Sequence, residues 1–358
     1  MLDEFYERSP FELEEKEKTK LLTRELVALT DHHMACCAPY AGMLRAMDYD
    51  ENKIESYYDL PFLPVRLFKT MDLKSVKEEE VFKTMTSSGT TGQAVSKIYV
   101  DRETASAQQK VLVKIMSDFI GKKRLPMLIL DSSRVVKDRN LFSARGAAIL
   151  GLSMLAKERK YALNEDMELD LDAVTDFLEK YRGQRILVFG FTFMVWQHFY
   201  KELVRRKLKL DMPEAFLVTG GGWKKLVSEH ISREDFKEAF RQQCGITHFL
   251  DHYGMVEQTG SIYAECECGN LHASIYSDVI TRRYQDFTPC EVGEKGIIQV
   301  VSVLPRSYPG HSLLTEDEGI VLGVDDCPCG RKGKYIRITG RMQKAELRGC
   351  SDTYAAKF

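Results

Sequence analysis

The chain has 358 residues, 44% hydrophobic and 29% charged, the balance of a soluble globular protein with room for one large core or two ordinary ones. Its 51 basic and 53 acidic residues leave a formal net charge of −2, so no global field draws it to nucleic acid or an anionic membrane. The acidic start MLDEFYERSP lacks the basic opening and apolar run of a secretory signal, and no apolar stretch reaches the length of a membrane span. The nine cysteines are therefore expected in a reducing cytoplasm, as metal ligands or catalytic thiols rather than disulfides.

Ser9-Pro10-Phe11-Glu12 has the spacing of a capping box with proline at the first helical position, and it predicts a helical N-terminal region running to about Met47. The proline-rich stretch from Asp48 to Thr70, ending LPFLPVRLFKT, reads as a surface linker without chemistry of its own. From Val81, apolar β-type runs alternate with amphipathic stretches. The strands are expected at Met127–Leu130, Ile186–Phe189 and Phe216–Thr219, and the helices over Leu171–Tyr181 and Phe193–Lys207. That rhythm predicts an α/β core with a parallel or mixed sheet. After Tyr253 the texture turns to Ile297–Leu304, Gly319–Val324 and Tyr335–Thr339, punctuated by Gly, Pro and Cys, which predicts a second, β-rich subdomain.

The sharpest local signal is Thr86-Ser87-Ser88-Gly89-Thr90-Thr91-Gly92, followed by Lys97 on a strand-like run. Hydroxyls and glycines let backbone N–H groups wrap an anion, which is what phosphate oxygens require; the GK[ST] ending of a Walker A loop is absent. A polar hairpin turn is the alternative for this run alone. Gly220-Gly221-Gly222 follows the apolar Phe216-Leu217-Val218, placing glycines at a strand's carboxyl end, where open α/β sheets bind ligands. Tyr253-Gly254-Met255-Val256-Glu257 also follows a strand-like run, and Glu257 is a hard oxygen donor of the kind Mg²⁺ takes beside phosphates. Thr315-Glu316-Asp317-Glu318-Gly319 is expected to put an acidic residue in a turn, and Gly340-Arg341 follows a strand.

In this order and spacing the motifs resemble the acyl-adenylate-forming superfamily, which includes acyl-CoA synthetases, nonribosomal adenylation domains and firefly luciferase. The resemblance implies ATP and Mg²⁺ as cofactors. It makes residues 87–92 a phosphate-binding loop, 220–222 an adenine-contacting turn and 253–257 the YGxTE loop, with Glu257 reaching Mg²⁺. It likewise puts Asp317 on the ribose hydroxyls and makes 340–344 the hinge motif that contains Arg341. Val256 stands where the family usually has threonine, and Glu316 where it has glycine. The expected fold is the large α/β N-terminal domain of such an enzyme with a β-rich subdomain, lacking the usual mobile C-terminal domain. It divides into a helical region and linker (1–80), an adenylate-forming core (81–254), the β-rich subdomain with its cysteine pairs (255–340), and a hinge stub with a cysteine tail (341–358).

The ending Ala345-Glu346-Leu347-Arg348-Gly349-Cys350-Ser351-Asp352 resembles the acyl-protein synthetases of the LuxE family, which activate a fatty acid, take the acyl group on a C-terminal cysteine and pass it to an acyl reductase. Cys350 is then the acyl acceptor. A thiolate on a tail is a strong nucleophile toward a mixed anhydride, and the adjacent Arg348 is expected to help form it; the bland alternative is an incidental tail thiol.

Cys266-Glu-Cys268-Gly269 and Cys327-Pro-Cys329-Gly330 form a second constellation, with His272 between them. They could bring four thiolates, or three with His272, to one structural Zn²⁺; reduced thiols in a β-rich subdomain are the alternative. Phenylacetate-CoA ligase, another branch of the superfamily, is similar in its Cys-rich segments, CPCGR among them. His32-His33 and Cys36-Cys37 are expected as helix packing or surface residues, Phe191, Phe193, Trp196 and His198 as acyl-pocket or core residues, and Cys244 and Cys290 without sequence partners.

The sequence thus predicts a cytoplasmic acid–thiol ligase in which Glu257, Cys350 and Lys97 carry the chemistry, acting on a fatty or other carboxylic acid with an acyl reductase as partner. An acyl- or aryl-CoA ligase of the phenylacetate type and a catalytically inactive nucleotide- or acyl-binding protein are the rival readings.

Overall fold

A computed structural model describes residues 2–87, 95–137, 144–221 and 231–342. In chain order its strands are β1 (Leu63–Pro64), β2 (Lys83–Thr86), β3 (Lys97–Val100), β4 (Leu125–Ser132), β5 (Ala156–Leu163), β6 (Ile186–Phe191), β7 (Ala215–Gly220) and β8 (His248–Tyr253). They continue as β9 (Tyr263–Glu265), β10 (Leu271–His272), β11 (Ser277–Arg282), β12 (Lys295–Ser302), β13 (Ser312–Val324) and β14 (Lys334–Arg341).

The described residues form two units. One draws on Ile120–Tyr253 and is an open parallel sheet in the order β8-β7-β6-β4-β5. Strands β4 and β6 are buried along their whole length, as expected where both faces of a parallel sheet are covered. Leu128, Leu130, Val188 and Leu217 pack in one core with Phe177, Phe199, Phe236 and Phe240 from the covering helices. Those helices are locally encoded. Asp170 accepts from the Ala173 amide at the start of Leu171–Lys180, and Ser232 and Asp235 make a reciprocal capping box at Arg233–Cys244, which Gly245 ends at φ 69°.

The other unit draws on Met1–Ser87, Ala94–Phe119 and Gly254–Leu347. Its sheet runs β11-β12-β13-β14-β10-β9 by antiparallel pairing, with β1 parallel to β13, and β2 and β3 make a separate hairpin. The helices Glu15–Cys36, Ala38–Ala46 and most of Arg102–Ile120 belong to it, so the structure groups the N-terminal helices with the β-rich segments rather than apart from them.

Two local expectations give way to tertiary contacts. The Ser9 amide does donate to Glu12 Oε2 at 2.9 Å, yet the stretch is a turn and the helix starts only at Glu15. The carbonyls of Pro10 and Phe11 instead accept from the amides of Ile275 and Lys332, and Phe11 is buried. Thr315–Gly319 lies within strand β13 rather than in a turn. Its irregularity appears as register shifts against β12 and β14, with the Asp317 amide donating to Thr315 Oγ1 at 3.1 Å.

Candidate functional site

In the mixed-sheet unit, the β2–β3 hairpin pairs Thr86 with Lys97, and the Ser87 amide donates to the Ser96 carbonyl at 3.2 Å while the Ser96 amide donates to Ser87 Oγ at 2.9 Å. This closes the base of the glycine-rich loop; Ser88, Gly89, Thr90, Thr91 and Gly92 lie outside the described residues. Lys97 sits on β3 with its side chain more than half exposed and its ammonium 3.8 Å from the Asp72 carboxylate.

Glu257 occupies a short 3-10 turn, Val256–Gln258, and is buried. Its neighbour Gln258 donates to the Gly310 carbonyl at 2.8 Å, and a Cβ on Gly310 would stand 2.9 Å from the Glu257 carbonyl, so this approach needs glycine. Burial raises the Glu257 pKa, and nearby Ser96, Lys69 and Arg341 draw it back only partly. A carboxylate held in that state gains from a divalent cation, and one hard oxygen donor is the protein contribution that Mg²⁺ takes when phosphates fill other positions. The donor chemistry fits.

The acidic run of β13 and the end of β14 converge. Arg66 donates to Glu316 Oε1 from Nη2 at 2.6 Å and from Nε at 3.1 Å, and Arg341 donates to Glu316 Oε2 at 2.9 Å. The Arg341 guanidinium also stands 3.9 Å from Asp317, its register partner. Burial alone would raise Glu316, but the Arg66 hydrogen bond and the charges of Arg341 and Lys69 hold it below its ordinary value. Arg66 and Lys69 come from the stretch read as a linker. Strand β1 pairs Leu63 and Pro64 with Leu313 and Leu314, and Val65 donates to Leu314, which delivers Arg66 to Glu316. Nothing in the local pattern of LPFLPVRLFKT signals a partner so far away in sequence.

In the parallel-sheet unit, Gly220, Gly221 and Tyr253 stand at or just past the carboxyl ends of β7 and β8, and Gly222 lies outside the described residues. A Cβ on Gly220 would meet the His252 ring at 2.3 Å, and Gly221, at φ 93°, lies 2.9 Å from the Phe191 ring by the same measure. His252, which the sequence reading passed over, is pushed down to about 4 by burial. Asp251 accepts from Thr219 Oγ1 at 3.5 Å and faces Arg233 at the same distance. Phe191 and Trp196 are core residues, Trp196 stacking on Tyr200 at 4.2 Å, and His198 bonds the Met167 carbonyl.

The cysteines divide. Cys350 lies outside the described residues, and the eight described cysteines are free thiols. One ligand atom each from Cys266, His272, Cys327 and Cys329 fall within 4.8 Å of one another, while Cys268 is exposed. Cys37 and Cys244 are buried, Cys36 is exposed and Cys290 half-buried. Burial pushes the Cys244 thiol up to about 12. His33 is a buried packing residue bonded to Ser75 Oγ and the Pro305 carbonyl, and His32 bonds the Arg306 carbonyl.

No helix among the described residues is long and apolar enough to cross a membrane. The chain is similar to a long-chain-fatty-acid–luciferin-component ligase of Vibrio harveyi, 22% identical over 316 residues, covering 85% of this chain and 80% of the relative. A ligase of the same name from Aliivibrio fischeri is 21% identical over 82% and 77%. Among solved structures, 2-hydroxyisobutyryl-CoA ligase in the postadenylation state with 2-HIB-AMP superposes with a TM-score of 0.73 at 15% identity, over 95% of this chain and 71% of that one. The same ligase in its thioesterification state gives 0.70 at 16% identity, over 94% and 71%. These structures share the fold, that of an acyl-adenylate-forming ligase. The family described as acyl-protein synthetase, LuxE, matches residues 1–358, and the chain belongs to that family of adenylate-forming ligases.

Proposed function

We propose that this enzyme uses ATP and magnesium to activate a long-chain fatty acid as its acyl-AMP, then holds the acyl group as a thioester on Cys350 for delivery to an acyl reductase. The observation that carries the first half is the setting of Glu257: a buried carboxyl, with Lys69 and Arg341 close enough to bias its charge, in a chain similar to two long-chain-fatty-acid–luciferin-component ligases. Magnesium, held by Glu257 and phosphate oxygens, would neutralise charge on the triphosphate. Ser87 and the loop through Gly92 serve the phosphates, assisted by Lys97. Gly220, Gly221 and Gly222, with Tyr253 and Gly254, serve the adenine side, and Asp317 the ribose.

In activation a carboxylate oxygen bonds to the α-phosphorus, the α–β anhydride breaks and pyrophosphate leaves; positioning and charge neutralisation are what the protein supplies. In transfer the Cys350 thiolate bonds to the acyl carbon and AMP leaves with the electron pair of the broken C–O bond.

ATP–pyrophosphate exchange across fatty acids of graded length tests the first half. Exchange should appear with long-chain acids and fall about 10²- to 10³-fold in Glu257→Gln; no exchange with any acid overturns the reading. Cys350→Ser should keep the exchange and lose the hydroxylamine-labile acyl label. A label that persists there, or rapid release of acyl-CoA on adding CoA, reassigns the acceptor.

A further inference from the structure

We propose that Cys266, His272, Cys327 and Cys329 hold a structural zinc ion in a Cys₃His site, with Cys268 outside the ligand set. The cysteine spacing in sequence leaves the fourth ligand open between Cys268 and His272, and the geometry resolves it. Cys266 Sγ and Cys327 Sγ are 3.9 Å apart, and Cys329 Sγ and His272 Nε2 are 3.3 Å apart. A tetrahedral zinc with its usual bond lengths separates two sulfur ligands by about 3.8 Å, and a sulfur from a nitrogen by about 3.6 Å. The donors therefore already stand near the corners that the ion requires.

The backbone explains why only one thiol of the first pair takes part. Cys266–Gly269 and Cys327–Gly330 are turns of the same build, with the Gly269 amide donating to the Cys266 carbonyl at 2.9 Å and the Gly330 amide to the Cys327 carbonyl at 3.0 Å. Each glycine is in the left-handed region, at φ 77° and 82°. In the second turn both cysteines join the group; in the first, Cys268 is exposed to solvent and His272 on β10 takes the last corner.

His272 adds an independent observation. It is fully buried, its Nδ1 has no hydrogen-bond partner among the described residues, and its Nε2 meets the Cys329 sulfur. Burying an imidazole with no better partner than a thiol is costly unless the ring is a ligand. The surroundings suit a thiolate-rich ion: the Asn270 side-chain Nδ2 donates to Cys327 Sγ at 3.4 Å, and Arg331, beside the cluster, is held by Asp118 at 3.0 Å and Glu267 at 3.1 Å. The ion would tie a turn before β10 to a turn before β14, 61 residues apart between Cys266 and Cys327. Its role is to fix the start of the strand that ends at Arg341.

Elemental analysis of the full chain, purified without added chelator, tests this. The expected result is about one zinc per chain, with occupancy falling about tenfold or more in Cys327→Ser, Cys329→Ser and His272→Ala, and unchanged in Cys268→Ser. His272→Cys, which restores four soft donors, should regain the metal and so separates ligation from misfolding. Cobalt in place of zinc should give the visible absorption of a tetrahedral thiolate site. Metal-free protein whose Cys266, Cys327 and Cys329 thiols react freely in the native state overturns the proposal, and so does loss of zinc from Cys268→Ser equal to that from Cys329→Ser.

Discussion

The parallel-sheet unit keeps its core apolar and puts its polar groups at strand ends, whereas the mixed-sheet unit drives charge into its interior. In the latter, Lys18 lies 3.2 Å from Asp278, Lys334 lies 3.1 Å from Glu15 and 3.5 Å from Asp278, and Tyr57 donates to Asp278 at 2.8 Å, all of them buried or nearly so. The former buries Asp131 against one opposite charge among the described residues, Arg145 at 3.1 Å, with the Ser132 amide donating to it at 2.7 Å. Burial opposes the charged form of both aspartates. Asp278, facing two lysines and a phenol, still sits below its ordinary value, while Asp131 is pushed up. One unit therefore offers a ligand mainly backbone at strand ends, and the other offers charged side chains gathered from distant parts of the chain.

The largest effect that would test this contrast is on stability. Asp278→Asn keeps the shape and the Tyr57 contact but leaves Lys18 and Lys334 buried with one carboxylate, Glu15, between them. We expect a loss of about 3–5 kcal/mol in urea unfolding. A cost below about 1 kcal/mol would mean that apolar packing, not this network, organises the mixed-sheet unit.

Acid should act in the same direction. Burial depresses His33 well below its ordinary value and takes His311 to about 3 in the mixed-sheet unit, against His252 at about 4 in the other. Each imidazole is neutral when folded, and each takes a proton in the unfolded chain below about pH 6.5. Stability is thus complete above pH 6.5 and lost as pH falls toward the folded values, by about 1.4 kcal/mol per pH unit for each histidine. Urea unfolding from pH 7 to pH 4.5 measures the slope. A folded His311→Gln variant should be shallower by one histidine's share; an unchanged slope would show that the stacked His33–His311 pair, centroids 4.9 Å apart, titrates otherwise.

Next in size is Gly220→Ala, aimed at the backbone chemistry of the parallel-sheet unit. The added methyl meets the His252 ring, which must move, so we expect about 1–3 kcal/mol of destabilisation and a raised KM for ATP. Gly42, in the helix Ala38–Ala46 with nothing near its Cβ direction, is the control: Gly42→Ala should be neutral or stabilise by about 0.5–1 kcal/mol. Equal effects at the two glycines would undo the assignment of Gly220 to a close approach.

The same contrast decides what the amino-acid pattern could reveal. Strands β4, β6 and β7 are short apolar runs bounded by helices with local caps, so periodicity and cap residues suffice to place them. Glu257, Asp317 and Arg341 were legible as motif residues, and they do fall in one unit. What the pattern could not reveal rests on pairings across hundreds of residues. The Ser9–Glu12 box lost its helix to hydrogen bonds with Ile275 and Lys332, and a two-residue strand turned an apparent linker into the carrier of Arg66. His272 was visible as a ligand type, but its precedence over Cys268 depends on which way a turn faces.

The smallest effect is the most informative about that linker. Arg66 is more than half exposed, so its pairing with Glu316 is screened, and Arg341 still holds the other carboxylate oxygen when Arg66 is removed. Arg66→Ala should therefore leave kcat within about twofold while raising KM for ATP about two- to fivefold, because Arg341 is then drawn toward Glu316 and away from Asp317. The increase should shrink as salt is added, since the lost pair was already weakened by screening. A fall in kcat of about tenfold or more would place Arg66 among the groups that touch the reacting phosphates, and would make the mixed-sheet unit's linker part of the chemistry itself.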